Sequence, residues 1–481
     1  MTRTMLVIPP LVTNKGDLKK SAQNLGMLYL GSHLKNAGHE VALLDATFEG
    51  WDNVRKEGAT TTEYGLSDEA IVKRAAAFNP EAIGLTLLAT ASYEAFREMT
   101  KLLKEAFPST PIIAGGAHAT ALPEKTLRDA KGAIDYLVLG EGERPFGKII
   151  ENLRAPEKIA EIDGVAMLDG GRYRATPRGE LIGNLDSVGD LALELFDGIP
   201  FTKEPTYAGS AGGRKYLDVM LSRGCPLNCG FCFTPQMWER KFRKHSLEWI
   251  ARQLDRAQTA GYGHIIVQDD NFSRGGEWAN GVMELFKEKG LTWENNGGLE
   301  MEHLTPELVD YMADTNCTTL FIPLNLRTEQ TDAIPENIRD HYELILRSAK
   351  ARGLYVYTSH IMGFPEQTVG GMRRQADFAR HLVDEGLSDF HVLYAFSVLP
   401  GTQRFHQIME PTGDGEYRVR PESGIEFDGG WQNWAKYSIN TPQIGTPNIC
   451  IDEMKRLYPA MIRYINGAKA DAWFGGREWP K

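Results

Sequence analysis

Three of the chain's five cysteines fall within eight residues, Cys225-Pro226-Leu227-Asn228-Cys229-Gly230-Phe231-Cys232. Spacings of three and two residues let one loop wrap three thiolates around a single centre. Gly224, Pro226 and Gly230 supply turn freedom that a helix would deny. Thiolates are soft ligands that suit iron–sulfur clusters or zinc. A structural zinc site needs a fourth ligand close by, yet the nearest histidine is His245, and Cys317 and Cys450 are remote. An odd triplet also does not fit a disulfide framework. Three ligands without a fourth imply a cluster with one open iron.

A chain of 481 residues, 42% of them hydrophobic, has material for two to four domains with full cores. The net charge of −11 argues against a nucleic-acid-binding surface. No apolar run approaches the ~20 residues of a membrane span. The run at the N-terminus is cut short by Pro9 and Pro10, so it reads as a strand rather than a signal peptide. Five cysteines in this length fit a reducing cytoplasm, which an oxygen-sensitive cluster also requires.

Residues 1–150 alternate between short apolar strands and helices. Strands are expected at Met5–Ile8, Val41–Leu44, Ala82–Leu88, Pro111–Ala114 and Tyr136–Leu139, with helices at Leu25–Asn36, Ile71–Phe78 and Tyr93–Phe107. Such alternation predicts a doubly wound parallel sheet, which binds ligands beyond the carboxyl ends of its strands. Polar and glycine-rich segments sit at those ends, notably Gly115-Gly116-Ala117-His118 and Gly140-Glu141-Gly142-Glu143. No Gly-x-Gly-x-x-Gly follows the first strand, which disfavours a dinucleotide. Residues 151–212 read as a connector with a small hairpin around Gly170-Gly171.

From Tyr216 six further strand–helix units follow. The strands are expected at Leu217–Ser222, His264–Gln268, Thr292–Asn295, Thr319–Pro323, Tyr355–Met362 and Phe390–Phe396. Catalytic groups of a barrel cluster at the carboxyl ends of its strands.

The cysteine loop resembles the signature of the radical SAM superfamily, with Phe231 at its usual aromatic position. In that family the open iron chelates S-adenosylmethionine (SAM), and the six units match its partial (β/α)6 barrel. The N-terminal half resembles the cobalamin-binding domain that precedes the barrel in class B methyltransferases. Gly38–Ala46, Gly115–His118 and Asp135–Glu143 carry that likeness. The resemblance implies a fold of Rossmann-like cobalamin domain (1–150), connector (151–212), radical SAM partial barrel (213–405) and an α-rich C-terminal segment (406–481) closing the barrel mouth. It implies a [4Fe–4S] cluster on Cys225, Cys229 and Cys232. It also implies SAM contacts from Phe231, the acidic turn Asp269-Asp270-Asn271, the adenine segment Ser359-His360-Ile361 and Pro400 of the Pro-Gly-Thr turn. Cobalamin would be walled by Thr47, Thr86, Ala89, Gly115, Gly116, His118, Glu141, Gly142 and Glu143. The Asp-x-His-x-x-Gly cobalt-binding motif is missing, which leaves the lower axial ligand open, with His118 as one possibility.

The chain departs from the family pattern in two places. Asn325, with Arg327 nearby, stands where the family carries glutamate for the ribose of SAM. Leu299–His303 replaces its Arg-x-Asp after the third barrel strand. The implied reaction is methylcobalamin-dependent methylation of an unactivated carbon in a small-molecule or peptide/protein substrate, protein side chains among them. The alternative is a radical cyclase or rearrangement without methyl transfer. Flavodoxin or ferredoxin would be the electron donor.

Overall fold

The computed structural model describes residues 1–14, 19, 21–59, 61–199, 201, 213–297, 299–324, 334–434, 437 and 441–470. Five parallel strands form the N-terminal sheet: Arg3–Ile8 (β1), Glu40–Asp45 (β2), Ala82–Thr86 (β3), Ile112–Gly115 (β4) and Tyr136–Val138 (β5). Their order is β5-β4-β3-β1-β2. Strands covered by helices on both faces read as unbroken apolar runs, which is why the pattern was legible. The strand order reverses between β1 and β3, so the ligand crevice of this sheet opens above their carboxyl ends. Asn24 caps the first helix, Leu25–Asn36 (α1), by accepting from Met27 N–H, and Gly38 at φ +85° ends it.

The hairpin expected inside the connector belongs to this sheet. Val165–Asp169 (β6) and Arg172–Ala175 (β7) add antiparallel to β5 and extend it to seven strands. A further antiparallel sheet of Leu11–Asn14, Val54–Glu57 and Thr61–Tyr64 went unrecognised, because its strands are four residues long and only partly buried.

The second sheet holds six parallel strands in sequence order: Tyr216–Val219 (β8), His264–Val267 (β9), Thr292–Asn295 (β10), Cys317–Pro323 (β11), Tyr355–Met362 (β12) and Phe390–Ala395 (β13). Its first strand stops three residues earlier than its apolar pattern suggests. Ser222–Arg223 instead turns aside to pair antiparallel with Arg243–Lys244. The two domains share one core that runs from α1 through Ile182, Leu185 and Val188 of the connector to the barrel strands.

A curled sheet that does not close leaves unpaired peptide groups on β8 and β13. At β8, Gln23 acts as a short strand. Its Nε2 donates to Tyr216 O (3.0 Å), its Oε1 accepts from Asp218 N (3.0 Å), and Tyr29 OH donates to Met220 O (2.8 Å). At β13 the same devices come from the last long helix, Ile451–Asn466 (α2). Asn466 Oδ1 accepts from His391 N and its Nδ2 donates to His391 O (both 2.8 Å), while Tyr458 OH donates to Leu393 O. Each edge is closed by one amide and one tyrosine.

The C-terminal segment, expected to be α-rich, mixes α2 and the short helix Gln403–Ile408 with two small antiparallel pairs. The helix α2 lies outside β13, against Met372, Ala376 and Ala379. Trp431, Trp434 and Tyr437 are core residues in one cluster with Tyr93 and Phe96 of the N-terminal domain and with Phe364, Phe396 and Phe405, which follow the last barrel strands. Trp473, Phe474 and Trp479 lie outside the described residues. Among the described residues no helix is long and apolar enough to cross a membrane.

Asn466→Ala removes both partners of the His391 peptide, and Gln23→Ala does the same for β8. Each should cost about 1–3 kcal/mol of unfolding free energy, the penalty for buried groups left unsatisfied. Urea denaturation measures this, and an unchanged midpoint would mean that the edges are satisfied by other groups.

Candidate iron–sulfur and cofactor site

The cysteine loop leaves the barrel at Gly224, whose φ is +98° and where a Cβ would stand 2.1 Å from Lys241 O, so only glycine fits. The ladder between Ser222–Arg223 and Arg243–Lys244 closes the excursion at its base. Asp270 clamps the loop from β9, accepting from Gly224 N (2.9 Å) and Thr234 Oγ1 (3.1 Å). Cys225, Cys229 and Cys232 line one cavity with Leu227, Phe231, Thr234, Asp270, Asn271, Leu299 and Glu300. Two groups already aim at sulfur: Asn271 Nδ2 donates to Cys225 Sγ (3.3 Å) and Thr234 N–H to Cys232 Sγ (3.4 Å). Burial pushes the Cys225 and Cys232 thiols up, so a bound metal must displace their protons. Among the described residues no three His, Cys, Asp or Glu side chains converge to hold a single ion. Three thiols around the wall of a cavity, with donors aimed at two of them, fit a polynuclear cluster better than tetrahedral zinc.

Of the acidic turn, only Asp270 and Asn271 reach this cavity. Asp269 is fully buried and faces back, accepting from Leu221 N (2.7 Å) and Ser222 Oγ (2.5 Å). That pull ends β8 early, and burial lifts the Asp269 carboxyl to about 7. Phe231 lines the cavity and packs on Phe364 beyond β12, with ring centroids 5.9 Å apart.

The adenine segment divides by strand alternation. Tyr357, Ser359 and Ile361 share the lumen face of β12, where Tyr357 OH donates to Asn296 Oδ1 (2.7 Å) and its ring stacks on Phe321. His360 points the other way, toward the helix layer. Its Nδ1 meets His391 Nε2 at 2.7 Å, and burial lowers its pKa to about 3. Contrary to expectation, the His360 side chain is therefore turned away from the lumen where SAM would lie, because strand alternation points it to the opposite face. Pro400 is buried in a turn whose next residue, Gly401 at φ +77°, is pressed against Phe233 and Ala121. Arg404, which the sequence did not single out, donates its N–H to Gly230 O in the cysteine loop (2.9 Å) and its guanidinium to Glu366 (2.6 Å). Glu300 was also missed; it stands in the cavity wall, paired with Arg274 at 2.7 Å. Asn325 and Arg327 lie outside the described residues.

On the N-terminal sheet, several expected wall residues turn inward. Thr47 is buried and its hydroxyl donates to Pro9 O (2.9 Å). His118 is buried with Nδ1 on Thr90 Oγ1 (2.9 Å) and its ring against Tyr93 and Trp434. That packing removes it from the groups able to reach a ligand at the crevice. Glu141 and Glu143 spend their carboxylates on arginines of the barrel, and Gly142 caps the helix that follows. Gly116, at φ +115° with a Cβ position 2.5 Å from Leu87 O, is required by the chain itself. Thr86, Ala89 and Gly115 remain near the strand ends. Beside them Leu88, the last residue of the expected strand, is 60% exposed, an apolar side chain just beyond the carboxyl end of β3.

Residues 13–150 match the B12 binding domain family, and residues 219–379 match the radical SAM superfamily. The chain is a cobalamin-dependent radical SAM enzyme. It is 28% identical to the cytidylyl-2-hydroxyethylphosphonate methyltransferase of Streptomyces wedmorensis, over 76% of this chain and 73% of that one. It is 25% identical to an uncharacterized methyltransferase of Pyrococcus horikoshii, over 95% of this chain and 90% of that one. The radical SAM methyltransferase TsrM of Kitasatospora setae shares the fold, with a TM-score of 0.66 at 16% identity over 93% of this chain and 86% of that one. The cofactors of this radical SAM enzyme are a [4Fe–4S] cluster, SAM and cobalamin. Three thiols around the wall of one cavity fit the first of these.

Two predictions follow from the packing around the crevice. Gly116→Ala should destabilise the enzyme by about 1–3 kcal/mol, the cost of a glycine-only backbone conformation. Gly115→Ala should leave the melt in place, because its Cβ has ordinary clearance of 3.5 Å from Val138 O. His118 stays neutral to about 3 when folded but titrates near 6.5 when unfolded. Between those pH values the unfolded state binds the extra proton, so stability falls as pH falls, by about 1.4 kcal/mol per pH unit. Relative to wild type, His118→Gln should lose that slope in denaturation series between pH 6 and 4; parallel curves would contradict the buried neutral ring.

Proposed function

We propose that the enzyme methylates an unactivated carbon of a small-molecule or peptide/protein substrate, with Cys225, Cys229 and Cys232 holding the cluster. The reading rests chiefly on three thiols sharing one cavity at the carboxyl ends of the barrel strands, in a chain that also carries a cobalamin-type sheet. When bound, the three cofactors would supply one electron, a carbon-centred radical and a methyl group. The protein's part is to bind, orient and exclude water.

Asn271 and the Thr234 N–H polarise two of the sulfurs, and Asp270 fixes the loop that carries them. Tyr357, Ser359 and Ile361 face the lumen where SAM would lie, with Asn325 proposed for its ribose. Phe231 against Phe364 keeps water from the cluster side. Leu88, Ala89, Thr86 and Gly115 offer an apolar and small-residue floor for the corrin ring. Reducing equivalents would come from flavodoxin or ferredoxin in a reducing cytoplasm. Ring closure without methyl transfer is the weaker reading, since two relatives that align over 76% and 95% of this chain are named methyltransferases.

Anaerobically reconstituted enzyme with SAM and reductant should form both 5′-deoxyadenosine and S-adenosylhomocysteine. Alanine at any of the three cysteines should abolish the visible cluster band and 5′-deoxyadenosine together. 5′-Deoxyadenosine without S-adenosylhomocysteine would favour the cyclase, and a full cluster in the triple variant would remove the assignment of its ligands.

A further inference from the structure

The loop at the carboxyl end of β5 carries two acidic side chains that leave their own domain. Glu143 Oε1 accepts from Arg223 Nη2 at 2.6 Å, and Glu141 Oε1 accepts from Arg223 Nη1 at 2.8 Å. Glu141 also accepts from Arg243 Nη1 at 2.9 Å and, through Oε2, from the N–H of Ile182 at 2.7 Å. All four charged side chains are between 5% and 9% exposed. Two glutamates and two arginines balance, as buried charges must. Arg223 and Arg243 face each other in register on the ladder that closes the base of the cysteine loop, and Arg223 stands two residues before Cys225. The network thus ties the strand-end loop of the cobalamin-type sheet, the connector, and both feet of the cysteine loop.

The domains do not need this network to stay together. They share a hydrophobic core, and Gln23 and Tyr29 bond directly to β8. What the network adds is directional, charge-assisted contact between the strand-end loop of β5 and the base of the cysteine loop, with the two Nη groups of Arg223 on two different carboxylates. Glu141 alone restrains Arg223, Arg243 and Ile182. Misplacing a reacting centre by about 1 Å can cost on the order of a hundredfold in rate, so such restraint is of chemical consequence.

We propose that Glu141, Glu143, Arg223 and Arg243 are positioning residues that set the distance and orientation between the cluster loop and the corrinoid crevice. The inference rests on the proposed function, because it requires both groups to bind.

The test uses the full chain loaded with the [4Fe–4S] cluster and cob(II)alamin, comparing wild type with Glu143→Gln and Arg223→Lys. Glutamine keeps the shape and removes the charge; lysine keeps the charge and removes the fork. Iron content, corrinoid affinity and the unfolding midpoint are measured first. The dipolar coupling between the reduced cluster and cob(II)alamin is then read by pulsed electron paramagnetic resonance. Both variants should keep cluster and corrinoid within about twofold of wild type, while the distribution of dipolar couplings broadens by about twofold or more, as expected when a directional restraint is released. A wild-type distribution in both variants overturns the proposal. So does joint loss of both groups with the fold, which would make the network a stability element only. A wild-type protein that binds the cluster but no corrinoid fails the proposed function itself, and that result is distinct because it appears before any substitution.

Discussion

A six-stranded parallel sheet that curls without closing must find partners for the peptide groups of its outer strands. Here the partners are side chains: Gln23 and Tyr29 on β8, Asn466 and Tyr458 on β13. A primary amide presents an N–H donor beside a carbonyl acceptor with the spacing of a peptide, so it can stand in for a strand at a single position. Because β8 is sealed by the segment leading into α1, the N-terminal sheet is drawn against the barrel at the strand that launches the cysteine loop. The geometry of both ligand regions descends from this edge.

The loops are then organised by buried acids with defined directions. Asp269 bends the chain out of β8, Asp270 grips the start of the cysteine loop, and Glu141 with Glu143 hold its arginines. Each acid sits at a strand end, yet only Asp270 lines the cysteine cavity. Acids at strand ends are therefore not interchangeable as ligand contacts, and their hydrogen bonds decide which of them face outward.

Much of the architecture was readable because its signals are local. Cysteine spacing, apolar runs of strand length and helix caps all act within a few residues, and the strands emerged within a few residues of their expected limits. Two of the departures share one cause. The carboxylates of Glu141 and Glu143 answer to arginines 80 to 102 positions away, and His118 is sealed partly by Trp434. A motif reports where a residue stands along its strand, but a distant partner decides where its side chain points. His360 differs, since two-residue alternation alone would have turned it from the lumen. Leu88 was legible as the end of a strand, but nothing local in the sequence tells that its side chain is exposed.

The edge caps also bear on biosynthesis. Gln23 precedes Asp218 by 195 residues, so one edge partner is waiting when β8 leaves the ribosome. At β13 the order is reversed: His391 precedes Asn466 by 75 residues. At ~5–20 residues per second, that strand spends roughly 4–15 s with an open edge on the nascent chain. During that interval it is a template for pairing with other chains. Messages truncated between those two positions would release products with the cysteine loop complete and one raw edge, the form of this protein most in need of a chaperone.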